Sequence, residues 1–170
     1  EEHLHNLFFI IPGEKIFPPP LSKISHGPSQ LWGWGNPKTL LAKYPLAVVG
    51  TRKITAYGRE ITINLTKQLA TRGCAIVSGL MYGVDEVAMR AALDVGGLVI
   101  GVWAGGLSRQ SLGSRWQLAR DIVDKGGAVV SEFCITQLPA KGLFPVRNRI
   151  VAGLSKAVIV TEGAVKSGSL

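Results

Sequence analysis

From Leu46 onward one unit repeats: a short run rich in valine and isoleucine, a turn, a stretch with helical spacing, and a closing glycine. "LAVVG" leads to "AYGREITINLTKQLATRG", "AIVSG" to "VDEVAMRAALDVGG", and "LVIGVWAGG" to "RWQLARDIVDKGG" through the polar loop "LSRQSLGS". "AVVSEF" leads through a longer loop to "VRNRIVAGLS", and "AVIVTEG" supplies a fifth strand. The strand runs are continuously apolar, as strands covered on both faces of a parallel sheet must be. Strands alternating with helices of this length require right-handed crossovers, so the pattern predicts an α/β fold with a doubly wound, mainly parallel sheet. In the first helix Ile61, Leu65 and Leu69 recur at i, i+4 and i+8, which predicts an apolar face there, and Gly73 is placed to end it.

Residues 1–45 break the pattern. "IFPPPLSKISHGPSQLWGWGNP" is rich in Pro, Gly and Trp and reads as a lead-in packed on the domain, with "QLWGWG" as a short strand at the sheet edge. Residues 46–170 then form one Rossmann-like domain, a size that 170 residues in all suit well. The sequence stops at "KSGSL", just past the fifth strand, where a doubly wound sheet usually continues with another helix and strand. "EEHLHN" carries neither an initiator Met nor a signal-peptide pattern, so the chain reads as starting inside a longer natural sequence. No apolar run approaches the roughly 20 residues of a membrane span.

In an open α/β sheet ligands bind at the carboxyl ends of the strands. Those ends carry Gly50, Thr51, Arg52 and Lys53, then Ser78, Gly79, Gly83 and Asp85, then Gly105, Gly106 and Arg109. Ser131 and Glu132 close the fourth strand, followed by Lys141, Gly142, Phe144, Arg147, Asn148 and Arg149. Glu162, Lys166, Ser167 and Gly168 follow the fifth. Small residues that expose N–H groups, helix N-termini and a cluster of cations together predict an anion cradle. The net charge of +8 agrees with a polyanionic partner.

Several chemistries are disfavoured. His3, His5 and His26 all precede the repeating region, which argues against Ser-His-Asp, Cys-His or His-metal sites in it. Cys74 and Cys134 lack CxxC spacing and read as two buried thiols in a reducing cytoplasm. Neither GxGxxG nor a Walker A loop is present. No metal or cofactor is expected. Glu132 and Glu162 read as bridges to nearby arginines, and Asp85 as a carboxylate favoured by a helix N-terminus. Arg52 has two readings, a solvated side chain or an anion contact, and Phe144 likewise, local packing or base stacking. Trp32 and Trp34 read as packing. In "FPVRNRIVAGLS" one of Arg147 and Arg149 is expected to face phosphate while the other bridges a glutamate.

"VVGTRKITAYG", "SGLMYGVDEVAMRAAL", "GGAVVSEF", "FPVRNRIVAGLS" and "KSGSL", in this order, resemble the DNA-processing protein A family, also called DprA or Smf. With the upstream "FPPPLSKISHGPSQLWGWGN" the resemblance covers residues 17–170. It implies an extended Rossmann-like domain that binds single-stranded DNA without sequence specificity and loads the RecA recombinase during natural transformation, commonly as a cytoplasmic homodimer. By matching motif, Arg52, Lys141, Phe144, Arg147, Asn148 and Arg149 would form the DNA-binding pocket, with Lys53 and Gly142 beside them and Lys166 and Ser167 at the border. The chain departs from the family at Met89, where many members have His, which implies a structural role for that position. An enzymatic alternative is a nucleoside-monophosphate phosphoribohydrolase resembling the LOG family. Such enzymes use "PGGxGTxxE" where this chain has "TEGAVKSGS", and only Glu162 stands at a comparable strand end.

Overall fold

A computed structural model describes residues 6–163. In chain order the elements are β1 (Leu7–Ile10), β2 (Leu31–Gly35), β3 (Pro45–Gly50), α1 (Ala56–Thr71), β4 (Ala75–Ser78), α2 (Val84–Asp94) and β5 (Val99–Val102). They continue with α3 (Arg109–Leu112), α4 (Trp116–Asp124), β6 (Ala128–Ser131), α5 (Leu143–Leu154) and β7 (Ala157–Glu162). All seven strands join one sheet in the order β1-β2-β6-β5-β4-β3-β7. The five strands from β3 to β7 run parallel, and β2 is antiparallel to both β1 and β6. The expected mainly parallel, doubly wound sheet is thus present, with an antiparallel pair on one side.

The topology fixes where a ligand can sit. The chain advances β3, β4, β5, β6 in one direction, then returns through α5 to lay β7 on the far side of β3. The order therefore reverses between β3 and β7, and their carboxyl ends diverge there into a crevice.

Alternate residues of each central strand feed two separate cores. Val48, Ile76, Val99 and Val129 face a layer built from α1, α2 and α4. Ala47, Val77, Ile100 and Val130 face Ile150, Val151 and Leu154 of α5 together with Phe17, Leu21, Leu31 and Leu40. The Pro-rich segment thus supplies half of the second layer, using short 3-10 turns at Pro19–Ser22 and Pro37–Leu41. Burying a side chain such as Leu21 fully is worth about 1.5–3 kcal/mol, so this segment is part of the stability of the sheet. Met89 is fully buried in the first core.

Four details differ from the sequence reading. "QLWGWG" forms β2, but β1 lies outside it as the true edge. "LSRQSLGS" contains the one-turn helix α3, whose Ser108 hydroxyl accepts from Ser111 N–H at 3.2 Å. The buried face of α1 is Gly58, Thr62, Thr66 and Ala70, while Ile61 stays 37% exposed. Small residues win because α1 packs closely on its neighbours, and Thr62 satisfies its hydroxyl locally, donating to Gly58 O or pairing with Thr161 Oγ1, each at 2.7 Å. Finally, neither cysteine is buried: Cys134 lies exposed in the loop after β6, and Cys74 is half-buried in the turn before β4.

Helices α2 and α4 are joined by a charge chain. Glu86 accepts from Arg115 at 2.6 Å and from Arg90 at 3.1 Å, and Arg90 reaches Asp121 on α4 at 3.3 Å. Burial alone would raise the Glu86 pKa, but the hydrogen bonds and charges of Arg115 and Arg90 outweigh it and hold the group below its ordinary 4.5. A lowered carboxylate pKa stabilises the fold above the unfolded-state pKa, and the gain is lost as pH falls through the folded value. Glu86→Gln is accordingly expected to cost about 1 kcal/mol at pH 7. Urea unfolding at pH 7 and at pH 3 should show the difference from wild type shrinking at the lower pH, whereas an equal difference at both would contradict the assignment.

Candidate functional site

The crevice at the β3/β7 reversal opens into a cleft of about 610 Å³. It is lined by Gly50, Thr51 and Arg52 after β3, Gly79, Met81 and Asp85 around the start of α2, Lys141, and Phe144, Arg147, Asn148 and Val151 of α5. Three cations and one carboxylate therefore face a partly apolar pocket.

Its floor is the guanidinium of Arg147. That side chain is 4% exposed and donates from Nη1 to the carbonyls of Gly79 and Val102, at the ends of β4 and β5. Its Nε donates to Asn148 Oδ1 at 3.2 Å. Beside it Asp85, 6% exposed, accepts from Gly79 N–H at 3.1 Å. Burial pulls the Arg147 pKa down to about 10, against the attraction of Asp85, with the Arg52 charge adding to the fall. Burial likewise raises the Asp85 carboxyl, opposed by Arg147 and by backbone donors. At pH 7 Arg147 remains a cation. Gly79 is required at this spot, because a Cβ there would stand 2.6 Å from both the guanidinium and the Asp85 carboxylate.

The rim is more open. The β3–α1 loop is held on two sides: Thr51 N–H donates to Glu162 O at 2.8 Å, and Thr51 O accepts from Val84 N–H at 3.1 Å. Gly83, with φ of 78°, lets α2 start against that loop, since any Cβ there would collide with Thr51 O. Arg52 thereby projects, exposed, with its guanidinium 5.4 Å from the centre of the Phe144 ring. Phe144 is fixed from behind by the edge-on ring of buried Trp103 at 6.0 Å, and Trp103 donates to Ser111 Oγ at 3.3 Å. Lys141 is exposed just before α5.

The helix α5 begins earlier than the sequence reading placed it. Pro145 is its third residue, where no N–H is needed, so Arg147 lies one turn inside rather than at the N-terminus. Successive residues then diverge by about 100° on a helix. Arg147 turns under the sheet edge and Asn148 lines the cleft. Arg149 turns away to grip Glu132 through two bonds of 2.7 and 2.6 Å, and its Nε donates to His26 O at 2.8 Å. Both arginines are thus engaged by protein groups. The bridge expected for Glu132 is present; Glu162 instead accepts from Thr55 N–H at 2.9 Å at the start of α1, because Gly58 lets the helix end approach it.

Of the residues singled out from sequence, the cleft gathers Arg52, Lys141, Phe144, Arg147 and Asn148. Lys53 and Gly142 adjoin it in the chain without lining it, Arg149 stands apart, and Lys166 and Ser167 lie outside the described residues. Asp85 was read only as a helix-start carboxylate; its partnership with Arg147 had no local signal, since the two are far apart in sequence. Trp34 stacks on Trp116 at 4.8 Å, and Trp32 packs on Phe9 at 4.7 Å, so both tryptophans serve packing.

Fold and site together define a Rossmann-like domain with a cationic, aromatic-rimmed cleft at its topological switch point. The chain belongs to the DNA recombination-mediator protein A family, whose model matches residues 8–170. It is 41% identical over 162 residues to Protein Smf of Escherichia coli, covering 95% of this chain and 43% of that protein. Two solved structures are similar over nearly the whole chain. DNA processing protein A of Streptococcus pneumoniae gives a TM-score of 0.86 at 34% identity, covering 99% of this chain and 58% of that one. DNA processing protein A of Helicobacter pylori, studied for its single-stranded DNA binding mode, gives 0.85 at 31% identity, covering 97% and 74%. The chain spans about half the length of the curated relatives it matches.

The buried pair generates a stability test. Arg147→Met should cost about 3–5 kcal/mol, because it strands Asp85 in a site built for its partner. The Asp85→Asn/Arg147→Met double variant should unfold at higher urea than the sum of the single effects requires. Strict additivity would show that the two groups do not depend on each other.

Proposed function

We propose that this chain binds single-stranded DNA in the switch-point cleft, without reading its sequence. Arg52 and Lys141 meet the phosphate chain, while the half-buried Phe144 ring at the cleft wall takes a base. The observation that carries this reading is the Arg52–Phe144 pair at 5.4 Å. An aromatic ring clamped from behind, with a cation over it and a second cation at the same rim, is the arrangement that grips unpaired bases and backbone together. A duplex keeps its base faces stacked inside and offers no such partner.

Arg147 acts here through position: it anchors α5, and so sets where Phe144 and Asn148 stand. Lys53 and Gly142 are assigned supporting places beside the cleft, Arg149 a place outside it where it ties α5 to Glu132, and Lys166 and Ser167 the border of the cleft. The family relationship supports a wider role in which the bound strand is passed to the RecA recombinase during DNA uptake, by a homodimer in the cytoplasm. No nucleophile, base or cofactor is assigned to the site, so the reading is of a binder and not an enzyme.

Affinity for oligo-dT, measured by fluorescence anisotropy across a salt series, tests the site. Arg52→Ala and Lys141→Ala should each weaken binding and reduce the salt slope by about 0.7. Phe144→Ala should cost about 1–3 kcal/mol with the slope unchanged. Folded variants that bind as tightly as wild type would remove the cleft from consideration.

A further inference from the structure

The loop after β4 contributes Met81 to the cleft wall, and the next residue is Tyr82. Tyr82 is outside the cleft lining, on the side away from β7, and the residue is 47% exposed. An exposed tyrosine ordinarily swings freely, but this one is held at both ends. Its hydroxyl pairs with Ser114 Oγ at 2.6 Å, and the Arg115 guanidinium lies 3.7 Å from the ring centre. Arg115 is in turn nearly buried and fixed by Glu86 at 2.6 Å. The same segment carries Arg109, exposed and 5.9 Å from the Trp116 ring.

We propose that the Tyr82 ring, locked by Ser114 and Arg115 beside the cleft, is a second stacking subsite that takes a further base of the same DNA strand. This rests on the single-strand reading of the cleft and extends it, giving the strand a path: from Phe144, past Met81, towards Ser114 and Arg115. The chemistry repeats that of the first subsite. A ring immobilised by a cation on one side and a hydroxyl contact at its tip loses little entropy when a base stacks on its free face, which is where stacking affinity is otherwise spent. Tyr82 could instead serve only to cover Arg115, and the two roles differ in what DNA length does.

Oligo-dT chains of increasing length separate them, with binding measured by anisotropy for wild type, Tyr82→Ala, Tyr82→Leu and Tyr82→Phe, and folding checked by thermal melting. For chains long enough to leave the cleft, Tyr82→Ala and Tyr82→Leu should each lose about tenfold in affinity, while Tyr82→Phe, which keeps the ring over Arg115 but not the hydroxyl hold on Ser114, loses less. For the shortest chains that bind, all three should match wild type. Equal losses at every length would place Tyr82 in the first subsite, and no loss at any length would leave it a cover for Arg115; either overturns the proposal. Phe144→Ala run alongside distinguishes the two levels, since its loss must appear at every length, and its absence would instead overturn the cleft reading on which the second subsite depends.

Discussion

One buried cation organises this domain. The Arg147 guanidinium ties the carbonyl ends of β4 and β5 to α5, with the Asp85 carboxylate at the start of α2 as its counter-charge. Without it the carbonyls of Gly79 and Val102 would lose a buried donor, at a cost of about 1–3 kcal/mol each. Meeting them with a planar, multiply donating group fixes the crossover helix against the sheet. Phe144 sits one turn earlier on that helix, so its position follows from the same anchor. Gly79 is the sequence feature that makes room for it.

Around this anchor the rim is built to be rigid where it is aromatic and free where it is charged. Trp103 backs Phe144, and Arg115 with Ser114 fixes Tyr82, whereas Arg52 and Lys141 extend into solvent. Fixed rings lose little entropy on stacking. Exposed cations reach the backbone of a strand directly, and their long-range field speeds encounter.

Much of this was readable in the sequence, and the reasons for the gaps are physical. The central parallel strands were legible because burial on both faces forces continuous apolar runs, as the fully buried β4, β5 and β6 show, whereas β7 carries the same kind of run at the end of the sheet with none of its residues buried. The packing face of α1 was not, because close approach favoured threonine and glycine over the larger apolar residues that a periodicity count weighs most. β1 went unread, as its four residues mean little without β2 to pair with. The carboxyl-edge residues were identifiable from topology alone. The directions of Arg147, Asn148 and Arg149 depended on where α5 starts, which the proline at its third position obscured. The Asp85–Arg147 pairing joins segments that only the folded sheet brings together.

Another aromatic with cations lies at the amino edge of the sheet, just before β3, where Tyr44 is approached by Lys43 at 5.2 Å and Lys156 at 5.3 Å. It lies at the other ends of the strands, and so supplies a natural control for the central claim that the carboxyl edge holds the DNA. Photo-crosslinking of this chain to a bromodeoxyuridine-substituted oligo-dT, followed by peptide mapping, tests that claim most directly. Crosslinks are predicted on the peptide carrying Phe144, and crosslinks confined to the peptide carrying Tyr44 would contradict the account.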